Sequence, residues 1–290
     1  MLLTFSGHDT FHCRQFWLKK GYDFVNQGRK FPDDDASIAL GVGKNMVAGI
    51  RHWLRSFGIT TKDDVLTPLA KKLLDDIGWD PFLEDQGSLW LLHYLIIKQD
   101  YASLYKIVFA ELANQRPEFT EQHFISYVNE NKEGEYNQNT LGRDFTAFYR
   151  NYFGRMNKND VEESFTGILT ELHLLKEKKK THLNNLGKEE EHSFWVLERD
   201  KRDNLPSHIL LFSILDNNDY GNSVSFENLY TDETGPGKVF LLSREGLTIA
   251  LEKLQDDFNE IVFSHEAGIR ELQFKKKPKA FDILEEYYGS

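Results

Sequence analysis

The chain has 290 residues, 40% hydrophobic and 28% charged, enough to build two or three small cores. Its 46 acidic and 35 basic residues give a formal charge of −11, so bulk positive charge is excluded as a route to nucleic acid and any such contact must use a local basic surface. The single cysteine, Cys13, excludes a disulfide framework and a cysteine-rich zinc module. No uncharged apolar run reaches the roughly 18–20 residues of a membrane span, and the start lacks a basic-then-apolar signal, so a cytoplasmic chain without a membrane partner is expected.

Apolar spacings of three and four, with scarce proline, predict a mainly α, multi-domain helical protein. A loosely recurring order of short helix, polar turn, longer helix and hairpin predicts winged helix-turn-helix modules with small β-hairpin wings. The segments read as 1–115 (a winged helix-turn-helix), 116–200 (a helical middle, helix-turn-helix-like) and 201–290 (winged-helix-like).

The first chemistry-bearing phrase is Gly7-His8-Asp9-Thr10-Phe11-His12-Cys13-Arg14. On a helix, His8 and His12 would share a face, with Asp9 and Cys13 beside them. Two histidines supply half of a tetrahedral metal site and no further ligand cluster announces itself, so the expectation is structural. Asp9 or Thr10 would cap a helix running through Phe16, Trp17 and Tyr22, with a histidine buried. Cys13 lacks an assigned base and reads as a buried small residue.

Asp33 to Leu40 then predicts a short helix, Gly41-Val42-Gly43 a turn, and Lys44 to Phe57 a second helix. Val42, Met46, Ile50, Trp53 and Phe57 form one stripe; Lys44, Ala48, Arg51 and Arg55 form the opposite one, flanked by Asn45 and His52. Lys and Arg neutralise phosphate or read guanine, and Asn pairs with adenine. No acidic residue lies between Asp35 and Asp63, which makes the segment locally basic. Ile59 to Val65 is short enough for a reduced wing, and Thr67-Pro68 starts the next helix. A phosphate loop at Gly41-Val42-Gly43-Lys44 fails, because Ile38 and Asn45 stand where Gly and Ser or Thr are needed. No cofactor is implied.

Further along, Ser88 opens an apolar helix, Phe119 to Asn131 reads as another, and Thr140 opens a helix in which Arg143 and Arg150 could read a second groove against the repulsion of Asp144, Glu133 and Glu135. Val161 to Leu175 reads as a helix extended by Lys176 to Lys180. In the last segment, Ser207 to Leu215, Ser225 to Tyr230 and Ser243 to Phe258 read as helices, and Ile261 to Ser264 with Ile269 to Phe274 as a hairpin. The last long helix carries Glu245, Glu252, Asp256 and Asp257 against Arg244 and Lys253, which suits a protein partner better than phosphate.

These residues favour a DNA-binding accessory or regulatory protein contacting double-stranded DNA through Lys44, Asn45, Arg51, His52, Arg55 and Arg143. The alternatives are a non-enzymatic interaction scaffold without direct DNA contact, and a metal-dependent enzyme using His8 and His12.

Four phrases carry a family resemblance: Ser6-Gly7-His8-Asp9-Thr10-Phe11 to Trp17, Leu40-Gly41-Val42-Gly43-Lys44-Asn45-Met46-Val47, Leu66-Thr67-Pro68-Leu69, and Pro81-Phe82-Leu83-Glu84-Asp85 with Leu89-Trp90-Leu91-Leu92-His93. With them the chain resembles a bacterial family catalogued as domain of unknown function 4007, more loosely past residue 120. The resemblance implies an association with phosphorothioate DNA-modification and phage-defence genes, and hence protein partners from such a complex. It carries over no catalytic residues. Its phrases include both the basic helix and the His8–His12 cluster, so it does not choose between binding and chemistry.

Overall fold

Side-chain caps set several of the helix starts. The computed structural model describes residues 3–154, 167–183, 189–264, 268 and 270–289. Four helices come first: α1 (Trp17–Asn26), α2 (Ala36–Leu40), α3 (Lys44–Ser56) and α4 (Pro68–Leu74). Thr67 Oγ1 accepts the Ala70 amide and Pro68 opens α4, as expected. Next is α5 (Gln86–Gln99), which Asp85 caps three residues before Ser88. The chain continues through α6 (Ser103–Lys106), a π-helical stretch Ile107–Leu112 and α7 (Ala113–Gln115). Strand β1 (Glu118–Phe119), α8 (Glu121–Asn131), α9 (Gln138–Tyr152), a 3-10 turn Thr170–Leu172, β2 (Leu175–Leu183) and β3 (Glu189–Leu197) follow. The remainder is α10 (Ser207–Leu215), β4 (Ser223–Ser225), α11 (Phe226–Thr231), α12 (Pro236–Val239), α13 (Arg244–Asp257), β5 (Ile261–Ser264), β6 (Glu271–Phe274) and α14 (Ala280–Gly289). Among the described residues, the protein is mainly α with two small antiparallel sheets, ordered β1-β3-β2 and β4-β6-β5. Among the described residues, no helix is long and apolar enough to cross a membrane.

Helix α5 organises the interior. Every residue from Gly87 to Ile97 is buried, because the run is apolar all round rather than on one stripe. It packs against α3, α6, α10 and α12. His93 on α5 ties distant parts of the chain together: its Nε2–H donates to the Val239 carbonyl at 2.7 Å, and its Nδ1 accepts the Tyr152 hydroxyl at 2.7 Å. One cluster of buried apolar side chains therefore runs from Cys13 to Leu284. The last helix closes back on the first third of the chain. Tyr288 stacks on Trp79 with centroids 4.9 Å apart and shares a 2.8 Å hydrogen bond with Ser88, while Tyr287 donates to Asp85.

Two expectations need correction. Residues 7–14 are not helical: Ser6 and Asp9 take left-handed backbone angles (φ 72° and 59°), and α1 begins only at Trp17. The lysine run is not a helix end either. Of the expected helix Val161 to Leu175, residues 161–166 lie outside the described residues, 170–172 form the 3-10 turn, and Leu175 opens β2. Lys178 bridges Glu118 and Glu198, and Lys179 bridges Glu191 at 2.7 Å. Cross-strand charge pairs support this ladder where an apolar alternation would normally mark it.

Candidate nucleic-acid interface

Helix α3 follows the short α2 across a tight turn in which Gly41 adopts φ 61°. Ile50, Trp53 and Phe57 are buried, and Lys44, Asn45 and Ala48 face solvent. Among the described residues, no side chain caps the α3 N-terminus at Gly43, so its first amides and the Lys44 ammonium share one exposed end. An isolated bridge between Thr60 and Leu66 then closes a small loop. Asp64, at the tip of that loop, pairs with Arg51 at 2.6 Å and with Arg55 at 2.9 Å. Its left-handed backbone (φ 60°) is one that Asp tolerates. One carboxylate thus occupies both guanidiniums, and the acid-free stretch in sequence is not acid-free in space.

His52 does not reach the surface. It is buried against Trp53, Tyr101 and His8, and burial, helped by His8 and Arg55, pushes its pKa down to about 3. A ring that stays neutral and enclosed cannot contact phosphate, so its expected flanking role gives way to a packing role.

The motif at the N-terminus forms a latch. His8, 3% exposed, stacks on Trp53 and places Nε2 3.0 Å from Asp144 Oδ1 on α9. The Ser6 amide donates to both Asp144 oxygens, at 2.9 and 3.0 Å. Two turns further along α9, Asn151 accepts the Cys13 amide at 2.8 Å and donates to the Tyr105 hydroxyl at 2.5 Å. Asp144 and Asn151 are seven residues apart on one face, so they hold both ends of the 6–13 loop. Burial pushes the Cys13 thiol well above its usual range, which suits a packing residue. Asp9 is exposed and His12 half-buried. No group of three His, Cys, Asp or Glu able to hold a metal converges among the described residues.

Arg143 is exposed on the outer side of α9, and Arg150 is half-exposed. Asp144, read from the sequence as opposing them, is turned into the interior. Sequence reasoning missed Asp64, Asp144 and Asn151 as organising residues; a seven-residue polar pair on an otherwise apolar helical face was the available signal. On α13, Arg244 is held by Glu227 in a two-pronged pair at 2.7 and 2.8 Å, and the acidic residues remain exposed.

The chain has no match among curated proteins. It is similar to the magnesium ion-bound SspB crystal structure, with 28% identity, 99% of this chain and 88% of that chain covered, and a TM-score of 0.81. A second SspB crystal structure matches at 28% identity over the same shares, with a TM-score of 0.82. The model of the family described as protein of unknown function (DUF4007) matches residues 5–288, and the chain belongs to that family.

Proposed function

We propose that this chain is a DNA-binding accessory protein of a bacterial DNA-modification or phage-defence system, contacting duplex DNA through the first turn of α3. The observation that carries the reading is the solvent-facing pair Lys44 and Asn45 at the uncapped start of a helix that follows a short helix and a glycine turn. Helix-turn-helix proteins contact base edges with this part of the second helix. Arg51 and Arg55 hold the 60–66 loop through Asp64, and His52 packs beneath. In this reading α2, α3 and that loop form a winged helix-turn-helix with a reduced wing. The elements α10, β4, α11, α13, β5 and β6 form a second such module, a reading supported by the sheet order β4-β6-β5.

Duplex binding measured at several salt concentrations tests the assignment. Replacing Lys44 and Asn45 together by Ala should weaken binding and lower the log–log salt slope by about 0.9, one phosphate's share. Asp64→Ala should act in the opposite direction, strengthening binding because it removes a carboxylate and frees the half-exposed Arg51 beside the same surface, while Arg55 stays held by the Tyr101 hydroxyl. Unchanged binding in the Lys44/Asn45 variant would sink the proposal.

The SspB structure carries magnesium, a cation that prefers free oxygen donors in an octahedral shell. The carboxylates beside the candidate interface do not fit that role: Asp64 is taken by two guanidiniums and Asp144 by His8 and the Ser6 amide. No step is therefore assigned to a metal here. A second reading, a scaffold docking a protein of the same complex, is favoured by the exposed acidic face of α13. Co-purification with loss on Glu252 and Asp256 charge reversal would select it.

A further inference from the structure

Helix α9 uses the same seven-residue stride on two neighbouring faces. Asp144 and Asn151 point inward and hold the 6–13 loop. Arg143 and Arg150, each one residue earlier and so turned by about 100°, line a cavity of about 580 Å³ on the outer side. Thr10, presented by the latched loop, and Asn139 and Thr146 of α9 add neutral hydrogen-bonding groups to its wall. Neither Arg143 nor Arg150 has an ion-pair partner among the described residues, whereas Arg51, Arg55 and Arg244 are all paired. A second cavity of about 460 Å³ adjoins the first, the two sharing Glu121 and Gln122. Tyr149 and Trp195 line it, stacked 4.7 Å apart at 16°.

We infer that these joined cavities bind a single-stranded nucleic-acid segment, with phosphates against Arg143 and Arg150 and a base against Tyr149. Unpaired guanidiniums supply the phosphate contacts, and an aromatic shelf beside them is what sequence-tolerant single-strand sites use for bases. The two arginines stand about 10 Å apart along the helix axis, too far for both to grip the one phosphate of a free nucleotide and within reach of two phosphates of one strand. Glu121 is the opposing charge in both cavities and weakens the site. The latch gains a purpose: it fixes Thr10 as the wall facing the arginines. This site is separate from the first turn of α3 and does not depend on the duplex-binding proposal.

Fluorescence anisotropy with a labelled oligothymidylate, and with thymidine monophosphate as competitor, tests it on the full chain. The oligonucleotide should bind, and the mononucleotide should compete only at far higher concentration. Arg143→Ala with Arg150→Ala should weaken oligonucleotide binding at least ten-fold and lower the salt slope by about 1.4, two single-strand phosphates' share. Arg143→Lys with Arg150→Lys should keep the slope, and Glu121→Gln should tighten binding. The Lys44/Asn45 double Ala variant should bind the oligonucleotide as the parent does, which separates this site from the α3 surface. Absence of oligonucleotide binding, an unchanged affinity in a double Ala variant that still melts cooperatively, or equal affinity for the mononucleotide overturns the inference.

Discussion

Asn151→Ala is expected to cost about 2–4 kcal/mol of stability, because each buried polar group stripped of its partner costs about 1–3 kcal/mol. The side chain is fully enclosed, and its carboxamide serves two groups at once, accepting the Cys13 amide and donating to the Tyr105 hydroxyl. Water cannot replace it without opening the contact between the 6–13 loop and α9. Asp144→Ala should act similarly at the other end, leaving His8 Nε2 and the Ser6 amide without their acceptor. The two effects should combine to less than their sum, since both release the same loop. Denaturant melts give the stabilities, and amide exchange at Ser6 and Cys13 reports the loop directly. A native melting midpoint together with unchanged protection of those two amides would show that the latch does not stabilise the chain.

How much of this was legible depends on whether a feature is local. The start of α3 at Lys44, the Thr67–Pro68 start of α4 and the Ser243 cap of α13 lie where the sequence placed them, since capping and apolar spacing act within a few residues. The inward stripe of Ile50, Trp53 and Phe57 was equally local. His52 was not. It lies about 100° from Trp53 on the helical wheel, and its burial comes from a loop more than forty residues away. Gly7 in that loop takes φ 100°, and a side chain there would come within 2.7 Å of the His52 ring. Asp64 was visible as a residue, but its pairing with Arg51 and Arg55 needs the chain to turn back at Thr60–Leu66. The β2 ladder was hidden because the seven residues between Leu175 and Leu183 are all polar, four of them Lys, rather than alternating polar with apolar. Its stabilising partners Glu118, Glu191 and Glu198 come from both sides of the ladder in sequence.

Acid should destabilise the protein earlier than its carboxylates alone would predict. His52 and His93 are both enclosed, and burial holds each near a pKa of about 3, against an ordinary value of 6.5. For His93 the Val239 carbonyl favours the charged ring, but burial outweighs it. Below pH 6.5 the unfolded chain takes up two protons that the native state refuses until pH approaches 3. The stabilising contribution of the neutral rings is thus complete above pH 6.5 and is lost as pH falls from 6.5 towards 3. In the middle of that window each histidine should lower the unfolding free energy by about 1.4 kcal/mol per pH unit, and the pair by about 2.7. Urea unfolding at half-unit steps from pH 8 to pH 4.5 resolves this, since most carboxylates are still ionised above pH 5. His52→Asn should remove one proton's share of the slope between pH 6.5 and 5 while leaving His93 in place. His93→Leu should remove the other share, and it should also cost stability at pH 8, where the Val239 carbonyl and Tyr152 hydroxyl lose their shared partner. A parent protein whose stability is flat between pH 6.5 and 5 would mean that water or a proton reaches these rings in the folded state.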